Sequence, residues 1–182
     1  MQLTQTGKMK NKRNVVLVGF MGSGKTTVGL RLSYRLRKTV TDTDKWIEKR
    51  QGCTIKEIFA TRGEDAFRQM ETAALEEISR KAINEIVSVG GGTPIREENR
   101  VLLRKIGTVV YLKISPDAVY ERLKNDTVRP LLQGENPKEK IRELLAQREE
   151  YYAAAADVIV EVDNKNMEDV LQEILEKLEA LV

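Results

Sequence analysis

The chain has 182 residues, 41% hydrophobic and 32% charged, enough for one domain with a sizeable core and hardly enough for two. Its net charge of +3 comes from interspersed acids and bases, with no basic stripe of the kind nucleic-acid binding needs, and no apolar run approaches the roughly 20 residues that cross a bilayer. Cys53 is the only cysteine, which excludes an internal disulfide or a thiolate cluster, and the chain has no histidine, so acid–base chemistry must rest on carboxylates, Lys or Tyr.

The opening "MQLTQTGKMKNKRN" is positively charged but has no apolar segment after it. Residues 1–13 therefore read as a short disordered leader and not as a secretory signal, and a cytoplasmic location is the expectation. From there residues 14–182 read as one domain. "NVVLV" (Asn14–Val18) predicts a fully buried strand and Thr26–Arg37 the helix after it. "TVTD" (Thr39–Asp42) is a weaker strand, followed by helical stretches from Lys45 to Arg80 that break near Gly52 and Gly63. Thr54 and Glu57 have capping-box spacing, which supports a helix start there. Trp46 is expected to pack in the core, and Cys53 to be a small buried residue.

Further strands are predicted at Glu85–Val89, which runs into "GGG", at Thr108–Ile114 and at Asp157–Val162, and Met167–Leu181 closes the chain with leucines at helical spacing. Buried strands alternating with helices predict an α/β fold: three layers, a five-stranded parallel sheet with helices on both faces. Such sheets bind ligands beyond the carboxyl ends of their strands, so the residues just after each strand are the ones to read for chemistry.

"GFMGSGKTT" (Gly19–Thr27) follows the first strand and opens the first helix. Gly19, Gly24, Lys25 and Thr26 match the phosphate-loop pattern G-x-x-x-x-G-K-[ST] in the context its mechanism demands. Glycines let backbone N–H groups curl around phosphate oxygens, and the helix start adds unpaired N–H groups and a positive dipole end. Gly22, Ser23, Gly24, Lys25, Thr26 and Thr27 are the expected contacts for a nucleotide triphosphate, with Lys25 on the β- and γ-phosphates and the Thr26 hydroxyl on Mg²⁺. The loop alone does not say what receives the phosphate.

Other stretches lie where the sheet would bring them to the same edge. "DTD" (Asp42–Asp44) ends the second strand, "GEDAFRQME" carries Arg68 on a helix, and "GGG" (Gly90–Gly92) ends the third strand. "RPLL" follows at Arg129–Leu132, and "QREEYY" surrounds Arg148. In this order, together with the phosphate loop, these stretches resemble the shikimate kinase family, from about Val15 to the end of the fifth strand. The resemblance implies an enzyme that transfers the γ-phosphoryl group of ATP to the 3-hydroxyl of shikimate with Mg²⁺, as a cytoplasmic monomer in aromatic amino acid biosynthesis.

Each element also has its own physical reading. A planar carboxylate calls for guanidinium forks, and Arg68 and Arg148 are the candidates; Arg68 alone could equally be a helix-surface ion-pair partner. Asp44 can accept from ring hydroxyls and is the best general-base candidate, although "DTD" also suits a strand end followed by a helix cap, which Asp44 could supply as well. Gly90, Gly91 and Gly92 allow close backbone approach and N–H bonds to the acceptor, or form a plain turn. The third strand has no acidic residue at its end ("IVSVGGG"), which leaves Asp42 as the carboxylate that reaches Mg²⁺ through water.

The family match further implies a lid over residues about 123–137 and an acceptor-binding helical region over about 44–72. On the lid it implies Arg129 over the transferring group, and at the adenine face Arg122, which is otherwise a surface arginine. A loop after the fifth strand, "VDNKN", would close the adenine pocket, with no residue of 163–166 singled out. Rival readings are another small-metabolite kinase such as a gluconate kinase, a non-catalytic nucleotide-binding protein, and an ATPase without an acceptor.

Overall fold

Four consecutive apolar residues, Val15–Val18, form strand β1, and none is more than 3% exposed. A strand buried on both faces must sit inside the sheet, and β1 is its centre. The computed structural model describes residues 14–125 and 136–181. In chain order the elements are β1, α1 (Lys25–Leu36), β2 (Thr39–Asp42), α2 (Thr43–Gln51) and α3 (Ile55–Lys81). Then come β3 (Glu85–Ser88), a 3₁₀ turn (Thr93–Ile95), α4 (Glu97–Ile106) and β4 (Thr108–Lys113). The last are α5 (Pro116–Leu123), α6 (Pro137–Ala155), β5 (Val158–Glu161) and α7 (Met167–Glu179).

The sheet order is β2-β3-β1-β4-β5, every pair parallel, with Val16 opposite Val87 on one side and Val109 on the other. The chain leaves β1 toward β2 and later leaves β3 toward β4, in opposite directions along the sheet. Right-handed crossovers then place α1 on one face and α4 and α6 on the other. α7 joins α1, and α3 packs on α4. The reversal opens a crevice at the carboxyl ends of β1, β2 and β3, where such sheets bind ligands. Among the described residues no helix is long and apolar enough to cross a membrane.

One polar residue fixes the opposite end of the sheet. Asn14 is 1% exposed. Its side chain donates to the carbonyls of Ala82 and Ile106, each at 2.9 Å, and accepts from the Glu85 N–H at 2.9 Å. It thereby ties the starts of β1 and β3 to the end of α4, with every one of those buried groups satisfied.

The predicted elements are present with ends shifted by a residue or two. The helical stretch breaks where glycine allows it: Gly52 ends α2 with φ of 67°, and α3 kinks at Gly63 with φ of 81°. The capping box at Thr54 and Glu57 forms, with both reciprocal bonds made. Ile47, Ile58, Phe67 and Ala74 make a small second core beneath α2 and α3. Trp46 and Cys53 lean on this cluster only half-buried, so Cys53 is less enclosed than expected, and the Trp46 ring has Arg50 over it at 5.0 Å.

Candidate active site

The phosphate loop is shaped by its backbone. Gly19 has φ of 151°, and a Cβ there would lie 2.7 Å from the Leu112 carbonyl oxygen; Gly24, the residue before α1, has φ of 93°. Both conformations belong to glycine, and they turn the chain so that α1 begins at Lys25 with its first N–H groups facing the crevice. The Lys25 ammonium donates to the carbonyls of Gly19 at 2.7 Å and Phe20 at 3.0 Å, so it is held across the mouth of the loop. The hydroxyl oxygen of Ser23 is buried without a hydrogen-bond partner, a polar atom left for a ligand or water.

A cavity of about 470 Å³ joins this loop to the acceptor side. Gly22, Gly24, Lys25, Thr26 and Thr27 line it from the loop, Asp42 and Asp44 from the end of β2, Gly90, Gly91 and Gly92 from the end of β3, and Arg148 from α6. A larger cleft of about 690 Å³ lies between α6 and the ends of β4 and β5, but Glu139, Glu143, Glu149, Glu161 and Asp163 outnumber Lys113 and Arg142 there, which disfavours an anionic ligand.

The two aspartates of "DTD" have separate surroundings. Asp42, not Asp44, caps α2: one of its oxygens, Oδ1, accepts from the N–H groups of Asp44 at 3.0 Å and Lys45 at 3.1 Å. The helix starts at Thr43, two residues earlier than a cap at Asp44 would allow. Asp44 lies in the first turn with Oδ1 buried and unpartnered. Burial, then the negative charges of Asp42 and Glu71, push its carboxyl up to about 6, with Lys25 pulling it down and Glu48 adding to the rise. It is thus a carboxylate at neutral pH and a base within reach of physiological change.

Arg68 points off α3 into a network that is buried at Glu71 and open to solvent at Glu64. It donates to Glu71 at 2.7 Å and to Glu64 at 2.9 and 3.3 Å. Burial opposes its charge, but the paired carboxylates of Glu71 and Glu64 outweigh that and raise its pKa. Three of its five N–H groups are engaged among the described residues, which leaves two for a ligand. Glu71 is 1% exposed and also accepts from the Thr93 hydroxyl at 2.5 Å. Arg68 is not on the cavity wall itself; its guanidinium lies directly against Gly92, which is on the wall.

The three glycines of the β3 turn have no positive φ, and at Gly90 and Gly92 the reason is room. A Cβ on Gly92 would collide with the Arg68 guanidinium, and one on Gly90 would lie 2.9 Å from Asp44 Oδ1. The Gly90 N–H already donates to the Thr43 hydroxyl at 3.3 Å, and the N–H groups of Gly91 and Gly92 remain for a ligand. Arg122 sits at the far edge of the phosphate loop and donates to the carbonyls of Gly22 at 2.9 Å and Val162 at 3.1 Å. That links the loop to the end of β5, the side expected for adenine. Arg129, most of the segment expected as a lid and residues 1–13, expected as a leader, lie outside the described residues.

Sequence reading did not single out Glu71 or Tyr152. Each had a signal: Glu71 is three residues after Arg68, and Tyr152 four after Arg148, spacings at which helical side chains meet.

A phosphate loop at the central strand, opening into one cavity with the Asp44 carboxylate and the Arg148 guanidinium on its wall and Arg68 behind Gly92, defines a phosphate-loop kinase that acts on a small anionic acceptor. The profile of the shikimate kinase family matches residues 21–179. The chain is 42% identical over 170 residues to the shikimate kinase of Symbiobacterium thermophilum, covering 91% of this chain and 96% of that one. The solved structure of Acinetobacter baumannii shikimate kinase in complex with shikimate superposes with a TM-score of 0.86 at 37% identity, covering 94% and 96% of the two chains. A gluconokinase of Sinorhizobium meliloti shares only the fold, at 17% identity and a TM-score of 0.59 over 92% of each chain. The chain belongs to the shikimate kinase family.

Proposed function

We propose that the protein transfers the γ-phosphoryl group of ATP to the 3-hydroxyl of shikimate, giving 3-phosphoshikimate and ADP for aromatic amino acid biosynthesis. One observation carries this reading: a single cavity joins Lys25 and Thr26 of the phosphate loop to Asp44, Gly90–Gly92 and Arg148. The regiochemistry comes from the family.

In this reading the loop N–H groups and Lys25 bind the triphosphate, and Lys25 follows the charge that develops as the bond from the γ-phosphorus to its bridging oxygen breaks. Gly22, Ser23, Gly24, Thr26 and Thr27 complete the phosphate contacts, and Arg122 covers adenine. The shikimate carboxylate is held by Arg68 and Arg148 with the N–H groups of Gly91 and Gly92. Asp44 accepts from the attacking hydroxyl, orients it and takes its proton as the new P–O bond forms. Because the transition state is loose, orientation outweighs proton removal. Arg129 is assigned to the transferring group from the lid over residues about 123–137.

The donor set fits Mg²⁺. No group of three or more acidic or cysteine ligands occurs among the described residues, so a cation would depend on phosphate oxygens, the Thr26 hydroxyl and water. Asp42 suits such a water shell, since both cap bonds fall on Oδ1 and Oδ2 is left over. When bound, the ion screens the charge between the phosphates. Residues 14–182 serve as one domain, with 44–72 as the acceptor side, in a cytoplasmic monomer.

A coupled assay of ADP release, with shikimate and then a panel of other small alcohols, tests this reading. Turnover with shikimate well above the rest is expected. Equal ADP release with and without shikimate would instead make the protein an ATPase.

A further inference from the structure

Arg148 and Tyr152 lie one turn apart on α6, the spacing at which helical side chains share a face. Arg148 lines the cavity, whereas Tyr152 is 0% exposed beneath it. A phenol shut away from water must satisfy its hydroxyl inside the protein. Tyr152 donates to the Gly91 carbonyl at 2.6 Å, and the Arg148 charge, one helical turn away, acts on the same hydroxyl. One oxygen atom thus joins two parts of the acceptor wall that come from different elements: the glycine turn after β3 and the arginine on α6.

The chemistry of the group suits that place. A phenol offers one proton to give and lone pairs to receive, so it can donate to a carbonyl and accept from a guanidinium at once. Burial pushes its pKa up to about 12 against the pull of Arg148 and Arg68, so it stays protonated and is not a base. The ring is fixed from the other side by Tyr111, with centroids 5.2 Å apart, and Arg148 also lies over the Phe20 ring at 5.9 Å.

We propose that the Tyr152 hydroxyl is a positioning group for the acceptor, holding the Arg148 guanidinium and the Gly91 peptide in one relative geometry so that both meet shikimate together. It touches no substrate atom. An arginine held in place before the ligand arrives loses less freedom on binding than a loose one. The inference rests on the assignment of Arg148 to the shikimate carboxylate. A tyrosine that merely packed α6 against the turn would affect stability and both substrates alike.

Tyr152→Phe keeps the ring and removes only the oxygen. The KM for shikimate should rise about tenfold while the KM for ATP stays within about twofold. Arg148→Ala and the double variant are measured beside it, and the double variant should fall clearly short of the product of the two single effects. Tyr111→Phe trims the neighbouring phenol of the same aromatic pair and should leave the shikimate KM unchanged. All variants are assayed well below the melting temperature of the least stable, so weakened folding does not hide the result. The proposal is overturned, with Arg148 still the clamp, by an unchanged shikimate KM in Tyr152→Phe, by an equal rise in both KM values, or by effects that multiply in the double variant. Should Arg148→Ala itself leave the shikimate KM unchanged, the assignment of Arg148 falls, and the role of Tyr152 with it.

Discussion

The two ends of the cavity are built from different materials. The phosphate end is mainly backbone: a turn that three glycines with positive φ make possible, the first N–H groups of α1, and one lysine held by the turn's own carbonyls. The acceptor end is mainly charged side chains from separate elements, with Asp44 from α2, Arg68 and Glu71 from α3, and Arg148 from α6. A triphosphate has many equivalent oxygens, and a ring of N–H groups suits any of them. A small acceptor has one carboxylate and several hydroxyls in fixed positions, and recognising it takes individual groups at set angles. In the proposed reading the first end is a shared device, and the second decides what the enzyme acts on.

The contrast can be broken most sharply at Lys25, the charged side chain within the loop of the backbone-built end. Lys25→Met should lower transfer by roughly a thousandfold while leaving the melting temperature near that of the parent, since the loss of one positioned charge falls on the transition state. Near-normal turnover in single-turnover assays would remove the phosphate-loop assignment.

Asp44→Asn comes next. It presents one acceptor oxygen where there were two and cannot take a proton, so kcat should fall by about a hundredfold with no rescue from added Mg²⁺. Because the Asp44 carboxyl is pushed up to about 6, parent activity should drop as pH falls through 6, and the residual activity of the variant should not follow that step. Stability should move the other way. The folded pKa lies above the unfolded value of 3.8, so ionising Asp44 costs stability, a cost absent below about pH 4 and fully present above about pH 6. Asp44→Asn should therefore melt higher than the parent at pH 8, with the gain fading toward pH 4. A lower melting temperature at pH 8 would mean that Asp44 is not under electrostatic strain.

Arg68→Ala and Arg148→Ala should each raise the shikimate KM roughly ten- to hundredfold with ATP affinity nearly intact, as loss of a charged hydrogen bond implies. If the ATP KM rose and the shikimate KM did not, the division between the two ends would be wrong. The smallest effect is expected at Asp42. Asp42→Asn keeps an oxygen for the cap of α2, so the fold should hold, while the Mg²⁺ needed for half-maximal rate rises a few-fold and excess metal restores part of the activity. Rescue of Asp44→Asn by metal, with none for Asp42→Asn, would reverse the two roles.

The same contrast explains what could be read in the sequence. The phosphate end is contiguous: its glycines, lysine and threonine stand in one stretch between a strand and a helix, and local spacing carries the mechanism. The sheet was legible for a similar reason, since runs such as Val15–Val18 can only be buried strands. The acceptor end is scattered, and its members came from an ordered family pattern, not from local physics. What that pattern could not carry is which aspartate caps α2, which depends on where the first helical turn begins, and the bonds of Glu71 to Thr93 and of Tyr152 to Gly91, which depend on α3 and α6 packing against the segment after β3. Nor could it give the reason for the glycine turn. A run of three suggests backbone freedom, yet all three residues avoid positive φ, and Gly90 and Gly92 are small because Asp44 and Arg68 occupy the space beside them.

That last contact bears on inhibition. A side chain at Gly92 would occupy the volume of the Arg68 guanidinium, and Arg68 is itself held by two carboxylates. A compound that leans on the Gly92 peptide and the Arg68 fork would therefore bind where drug resistance has little room to arise. Replacing the glycine displaces the arginine, and replacing the arginine leaves Glu71 as a buried charge without its partner. Either escape route damages the enzyme that the escape was meant to save.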